Sequence, residues 1–343
     1  MTAGSAVPPL DRSRTAALRA RLDGKAKPLG SLGRIEDLAV RLALISDTDT
    51  PKADRAVLMV FAGDHGLNQA SVSAYPSSVT AAMVTTLLAG RASANAFAAA
   101  VGAEILIIDA GVDAELAEHP ALIRAKIRRG TRNAAEEPAL TLDEVQTALV
   151  RGAALARAAG QDFDLIAIGE MGIANSASAA LILHRLAPAP LEDCVGAGAG
   201  QDIEGLAHKL AVLEVAADRT EAVEPMDVLA EFGGLEIVMM AGAVLGAAQA
   251  RKPVLVDGFI AGAAALAAIR LVPEVADYCV FAHRSAERGH AVMLEALGVE
   301  PLLDLDMRLG EGTGALLAVP LLRAAAKLMS DVASLDDVLS GNI

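Results

Sequence analysis

The chain has no tryptophan, two tyrosines and six phenylalanines among its 343 residues. A core cannot be built around large rings. With 54% hydrophobic residues, it must be assembled from Ala, Leu, Val and Ile. Such small side chains suit helices packed closely on a sheet. Basic residues are also scarce: 29 Lys and Arg against 43 Asp and Glu leave a net charge of −14. That argues against nucleic acid as a partner, because phosphate backbones need basic surface, although local groups can still hold a small anion. The two cysteines, Cys194 and Cys279, lack metal-ligand spacing and read as core or strand thiols in a reducing cytoplasm. The opening "MTAGSAVPPLDRSR" lacks the apolar centre of a signal peptide. Alanine-rich runs near 240–250 and 261–269 are too short to span a bilayer and are interrupted by Gln249, Arg251, Lys252 and Arg270. The expectation is a soluble cytoplasmic protein with no membrane partner.

Five aliphatic runs recur: "AVLMVFAGDHG" (56–66), "EILIIDAGV" (104–112), "DLIAIGEMG" (164–172), "PVLVDGF" (253–259) and "YCVFAHRS" (278–285). Continuous runs of this length fit strands buried on both faces. The segments 141–159, 175–186 and 236–250 fit helices between them. Alternating strands and helices predict an α/β fold, a parallel sheet with helices on both faces, over residues 51–305. Residues 11–22, 34–45 and the tail from Gly312 read as helices, predicting a small helical domain from 1–50 and 306–343.

Polar residues follow the apolar runs: Asp64–His65, Glu170, Asp257 and His283–Arg284–Ser285. All should lie at the carboxyl ends of parallel strands, where α/β sheets bind ligands. Two glycine-rich loops precede helices. "GEMGIANSAS" (169–178) offers bare N–H groups, a ready anion site. "GAGAGQDIEG" (196–205), before Lys209, has G-x-G-x-G spacing instead of the dinucleotide G-x-G-x-x-G, and follows "LEDCV", a weak strand. A phosphate ligand is favoured over a full dinucleotide. "GKAKPLGSLGR" lacks the GK[ST] ending of a Walker loop. His119, His184, His208 and His290 read as surface or packing histidines. No second His–carboxylate cluster accompanies Asp64–His65, so no metal is expected. Tyr75 and Pro76 either line an aromatic pocket or form a turn before an N-cap at Ser77 or Ser78. "RLGEGTGA" (308–315) sets Glu311 between two glycines just before a helix near Thr313. Glu311 is either an acid favoured by that helix's dipole or a catalytic carboxylate given room by Gly310 and Gly312.

Eight blocks occur in order: "KPLGSLGRIEDLA", "FAGDHG", "SAYPSSVTAAMV", "GEMGIANS", "GGLEIVMMAGAVLGAA", "VDGFIAGAAAL", "AHRSAERGH" and "LDLDMRLGEGTGALLAVPLL". From about residue 25 to 330 the chain resembles the nicotinate-nucleotide–dimethylbenzimidazole phosphoribosyltransferase family. The resemblance implies a Rossmann-like sheet with a smaller helical domain, a homodimer, and a cofactor-free transfer of phosphoribose from nicotinate mononucleotide to dimethylbenzimidazole. It implies Glu311 as general base and Glu170 as a second acid. It also implies phosphate or ribose contacts at Gly172, Ile173, Ala174, Asn175, Ser176, Gly198, Gly200 and Lys209, with less specific roles for Asp257, Ser285 and Arg308. Tyr75, Met83, Met171 and Leu309 would surround the base. The chain departs from many relatives at Ala174, where they have glycine, at Ala197, where they have arginine, and at Arg288, where they have proline. The competing readings are a nicotinamide-dependent oxidoreductase on the same fold and a non-catalytic azole-binding protein.

Overall fold

The aliphatic runs become the strands of one parallel sheet. In the computed structural model, which describes residues 6–342 apart from Ala199, these are β1 (Ala56–Gly63), β2 (Glu104–Gly111), β3 (Leu122–Arg124), β4 (Leu165–Met171), β5 (Val254–Val256) and β6 (Cys279–Phe281). The first five residues of the N-terminal stretch, and Ala199 of the second glycine loop, lie outside the described residues. The order is β3-β2-β1-β4-β5-β6 and every neighbouring pair is parallel. The chain therefore winds outward from β1 in one direction and from β4 in the other. Such a reversal opens a crevice at the carboxyl ends of the two central strands.

β1 is buried along its whole length, and its alternate side chains enter two different cores. Val57, Met59 and Phe61 face helices Leu142–Asp162, Asn175–Leu186, Leu235–Gln249 and Phe259–Leu271. Leu58, Val60 and Ala62 face helices Arg34–Ile45, Ser93–Val101 and Thr313–Ser330. Both cores are apolar, which is why the strands read as continuous apolar runs instead of alternating ones. The shortage of rings has its counterpart in close backbone contact. A Cβ on Gly152 would lie 1.9 Å from the carbonyl oxygen of Met239, and one on Gly242 would lie 2.2 Å from that of Leu149. Helices Leu142–Asp162 and Leu235–Gln249 thus touch main chain to main chain.

Helix Thr313–Ser330 packs on helix Arg34–Ile45, and both lie on the same sheet face. Helix Thr313–Ser330 is also the helix, among the described residues, long and apolar enough to cross a membrane; 61% of it is buried in the fold. The alanine-rich runs form buried helices of the opposite layer.

One strand was missed and two expectations need correction. β3 was not foreseen, because it is three residues long and only Leu122 in it is buried. "LEDCV" is a helical turn, Leu191–Cys194, not a strand. "YCVFAHRS" splits after Phe281, so that His283–Arg284 leaves the main sheet and pairs with Leu303–Asp304. Lys27 and Glu36, in the "GKAKPLGSLGR" region, face each other at 2.8 Å as a nearly buried pair that braces the N-terminal turn.

Candidate active site

A cavity of about 680 Å³ opens at the carboxyl ends of β4 and β5. β4 delivers Glu170, which is 7% exposed. The chain then turns through Gly172, Ile173 and Ala174 into helix Asn175–Leu186. Ala174 is left-handed, with φ of 74°, a conformation that L side chains resist and glycine accepts freely. The turn is fixed by the Ile173 amide donating to Thr80 Oγ1 at 3.1 Å, and the Asn175 side-chain amide donates to Glu170 Oε2. Burial, with the nearby charge of Asp257, pushes the Glu170 carboxyl up to about 8, against the Asn175 hydrogen bond. Glu170 is thus mostly protonated at neutral pH.

Glu311 lies across the cavity on the turn before helix Thr313–Ser330. Gly310, Glu311 and Gly312 are all left-handed, with φ of 87°, 59° and 82°. Asp257, at the end of β5, holds this turn. Its two oxygens accept the amides of Gly312 (3.2 Å) and Ala315 (2.9 Å), capping the helix. Burial pushes the Asp257 carboxyl up, while His283, 3.6 Å away, and the helix amides oppose this. Glu311 does not serve its own helix. Its Oε2 accepts the amide of Ala94, at the start of helix Ser93–Val101, at 3.2 Å. The helix dipole beside it is therefore that of a segment more than two hundred residues earlier. The flanking glycines do not leave room for a ligand either. A Cβ on Gly310 would strike Glu170 Oε1, and one on Gly312 would lie 2.3 Å from a Leu58 methyl.

The opposite corner gathers Lys209, Ser176 and the second glycine loop. The Lys209 ammonium donates to Ser176 Oγ (2.9 Å) and to the Gly196 carbonyl (3.0 Å). Burial lowers its proton affinity, bringing it down to about 8, although Glu287 opposes the shift. Gly198 is left-handed beside it. Lys209 stands behind Ser176, whereas Gly172 to Ser176, Gly198 and Gly200 line the cavity directly. Asp257, Ser285 and Arg308 line it as well. Tyr75, Met83, Met171 and Leu309 form its apolar side, with Tyr75 and Leu309 about half exposed.

Asp64 and His65 do end β1, but they turn away from the cavity. His65 Nε2 lies 2.6 Å from Glu236 Oε1 with both side chains buried, and this carboxylate raises the ring's proton affinity despite burial. Asp64 accepts the amide of Asp113 at 2.8 Å. His290 is buried and accepts the Ser285 amide at 2.8 Å. Burial, with His283 nearby, lowers its pKa to about 3, so it is a neutral packing histidine. Two ionisable wall residues were missing from the expected site, His283 and Glu287. His283 was visible as part of a polar cluster after a strand. Glu287 carried no signal beyond lying two residues past Ser285.

The "Phosphoribosyltransferase" family model matches residues 7–338. The nicotinate-nucleotide–dimethylbenzimidazole phosphoribosyltransferase of Cupriavidus necator is 51% identical over 330 residues, 96% of this chain and 95% of its own. The enzyme of the same name from Deinococcus radiodurans is 46% identical over 336 residues, 96% of this chain and 92% of its own. Among solved structures, CobT from Thermus thermophilus is similar at a TM-score of 0.91 and 42% identity, covering 95% of this chain and 98% of that one.

Proposed function

The chain belongs to the nicotinate-nucleotide–dimethylbenzimidazole phosphoribosyltransferase family, and from that premise we propose how its cavity carries out the family reaction. The enzyme transfers the phosphoribosyl group of nicotinate mononucleotide to 5,6-dimethylbenzimidazole or a related base. The products are α-ribazole 5′-phosphate and nicotinate. The similarity to enzymes of that name favours this reaction over an oxidoreductase or a non-catalytic azole carrier.

The free ring nitrogen of the benzimidazole attacks C1′, and the C1′–pyridinium bond breaks with its electron pair passing to the nicotinate nitrogen. The leaving ring becomes a neutral pyridine and needs no proton. The new nucleoside is cationic until its second nitrogen gives up its proton, and Glu311 accepts it. One observation carries this assignment: Glu311 Oε2 is anchored by the Ala94 amide, while Oε1 has no hydrogen-bond partner among the described residues. The carboxylate is held in place with one oxygen left for the reacting proton. General-base help of this kind is worth roughly 10²–10⁴-fold. Asp257 fixes the turn that carries the base. Glu170, neutral at the working pH, donates a hydrogen bond instead of supplying negative charge. Ser176, Lys209 and the glycine loops hold the 5′-phosphate, and Tyr75, Met83, Met171 and Leu309 hold the flat base.

The same reading takes the enzyme as a cytoplasmic homodimer needing no cofactor; the two buried, unbridged cysteines support a reducing compartment. It treats 51–305 as the α/β domain and 1–50 with 306–343 as the helical domain. The decisive test is Glu311→Gln. Nicotinate release should fall at least about 100-fold while dimethylbenzimidazole still binds. Unchanged turnover would reject Glu311 as the base.

A further inference from the structure

We propose that Glu287 is a built-in anion that sits in the phosphate corner and gives way to the substrate's phosphate. The inference rests on the reading that the phosphate docks at Ser176, Lys209 and the second glycine loop.

Glu287 is 8% exposed and lines the cavity, yet it makes no direct ion pair among the described residues. Its Oε2 accepts from the Gly198 amide at 3.4 Å. It also lies flat against the loop: a Cβ on Gly196 would come within 2.1 Å of the same oxygen. A side chain at residue 196 would push the carboxylate away. On its other side, the Cβ position of Gly198 is 2.8 Å from Ser176 Oγ and 3.4 Å from the Lys209 ammonium. The carboxylate, a main-chain amide, a hydroxyl and a buried ammonium therefore share one small corner. Those three donors are the set that would bind a phosphate. An internal acid already satisfies the amide, through a long hydrogen bond that is readily given up.

A bound phosphate would carry up to two negative charges beside this carboxylate. The two anions compete for the Gly198 amide and repel one another at short range. Glu287 therefore weakens phosphate binding. Since the product keeps its phosphate, Glu287 hastens product release by the same competition. Most substitutions in a binding site weaken the ligand; this one has the opposite sign.

The test is a calorimetric titration of inorganic phosphate into the whole enzyme and into Glu287→Gln, at pH 7 and fixed ionic strength. Glutamine keeps an oxygen for the Gly198 amide and removes only the charge. Phosphate should bind about tenfold more tightly, and KM for nicotinate mononucleotide should fall in parallel. Unchanged or weaker phosphate binding would overturn the proposal, the weaker result pointing to support of the loop or of the ribose hydroxyls. Should Glu287→Gln fold poorly, Glu287→Ser removes the same charge and must shift phosphate affinity in the same direction. Lys209→Met, titrated alongside, separates the two levels of inference. If it leaves phosphate affinity unchanged, the phosphate does not dock at this corner and the underlying reading fails, whatever Glu287→Gln does.

Discussion

A methyl group on Gly310 would lie 2.3 Å from Oε1 of Glu170. The two acids of the cavity are thus interlocked: the turn that carries Glu311 rests on the carboxyl group of Glu170. Gly310→Ala should break this contact and also strain a residue whose φ is 87°. The expected result is a loss of kcat of at least about 100-fold, with far-ultraviolet circular dichroism unchanged, because a displacement of about 1 Å at a reacting group costs that much. Near-normal kcat would show that the two acids move independently.

Glu170 makes stability depend on pH. Its pKa is raised from 4.5 to about 8 in the folded protein. Between those values the folded state holds a proton that the unfolded chain has released. Stability should therefore fall as pH rises from about 4.5 to 8 and level off above that. The effect should be on the order of a few kcal/mol, because each pKa unit corresponds to about 1.4 kcal/mol. Denaturant unfolding at pH 5.5 and 8.5 measures it. Glu170→Gln should flatten the slope and be the more stable protein at the higher pH.

Lys209 gives a second, separable pH effect. Burial brings its pKa down to about 8, and only the ammonium form can hold a phosphate. The kcat/KM for nicotinate mononucleotide should decline above pH 8, because this ratio reports the free enzyme. Bound phosphate opposes proton loss, so the matching limb in kcat should sit at higher pH. Lys209→Arg, which stays charged, should remove the decline, and combining it with Glu170→Gln separates the two groups.

Ala174 is a left-handed alanine at the start of helix Asn175–Leu186. Glycine accepts that conformation without the crowding that its Cβ causes. Ala174→Gly should stabilise the protein by about 1 kcal/mol, read as a higher unfolding midpoint in denaturant. A lower midpoint would mean that the methyl group packs more favourably than its backbone is strained.

Strands β1 and β4 were the most legible because their apolar runs are long, end near glycine and are buried on both faces. Helices Arg34–Ile45 and Asn175–Leu186 fall where the periodicity places them. The gathering of Glu170, Asp257 and Ser285 at one sheet edge followed from their position after strands. What stayed hidden depends on partners distant in sequence. His65 pairs with Glu236 across 171 positions, so a residue in the right loop faced the wrong way. Glu311 finds its anchor at Ala94, 217 positions away, and no local pattern reveals it. The glycines around Glu311 suggested space for a ligand, whereas the space is filled by Leu58 and Glu170.

The position of Glu311 on the turn before the last long helix also sets, on the proposed assignment, the order in which the enzyme becomes competent. A chain emerging from the ribosome as far as residue 305 has made all six strands and both glycine loops. It still lacks Glu311, the proposed base, and the part of the sheet face that helix Thr313–Ser330 covers is still open. The segment that carries the proposed base is also the segment that closes the second core. On the proposed assignment, a product terminated before residue 311 lacks its base and should cleave nicotinate mononucleotide at least about 100-fold more slowly.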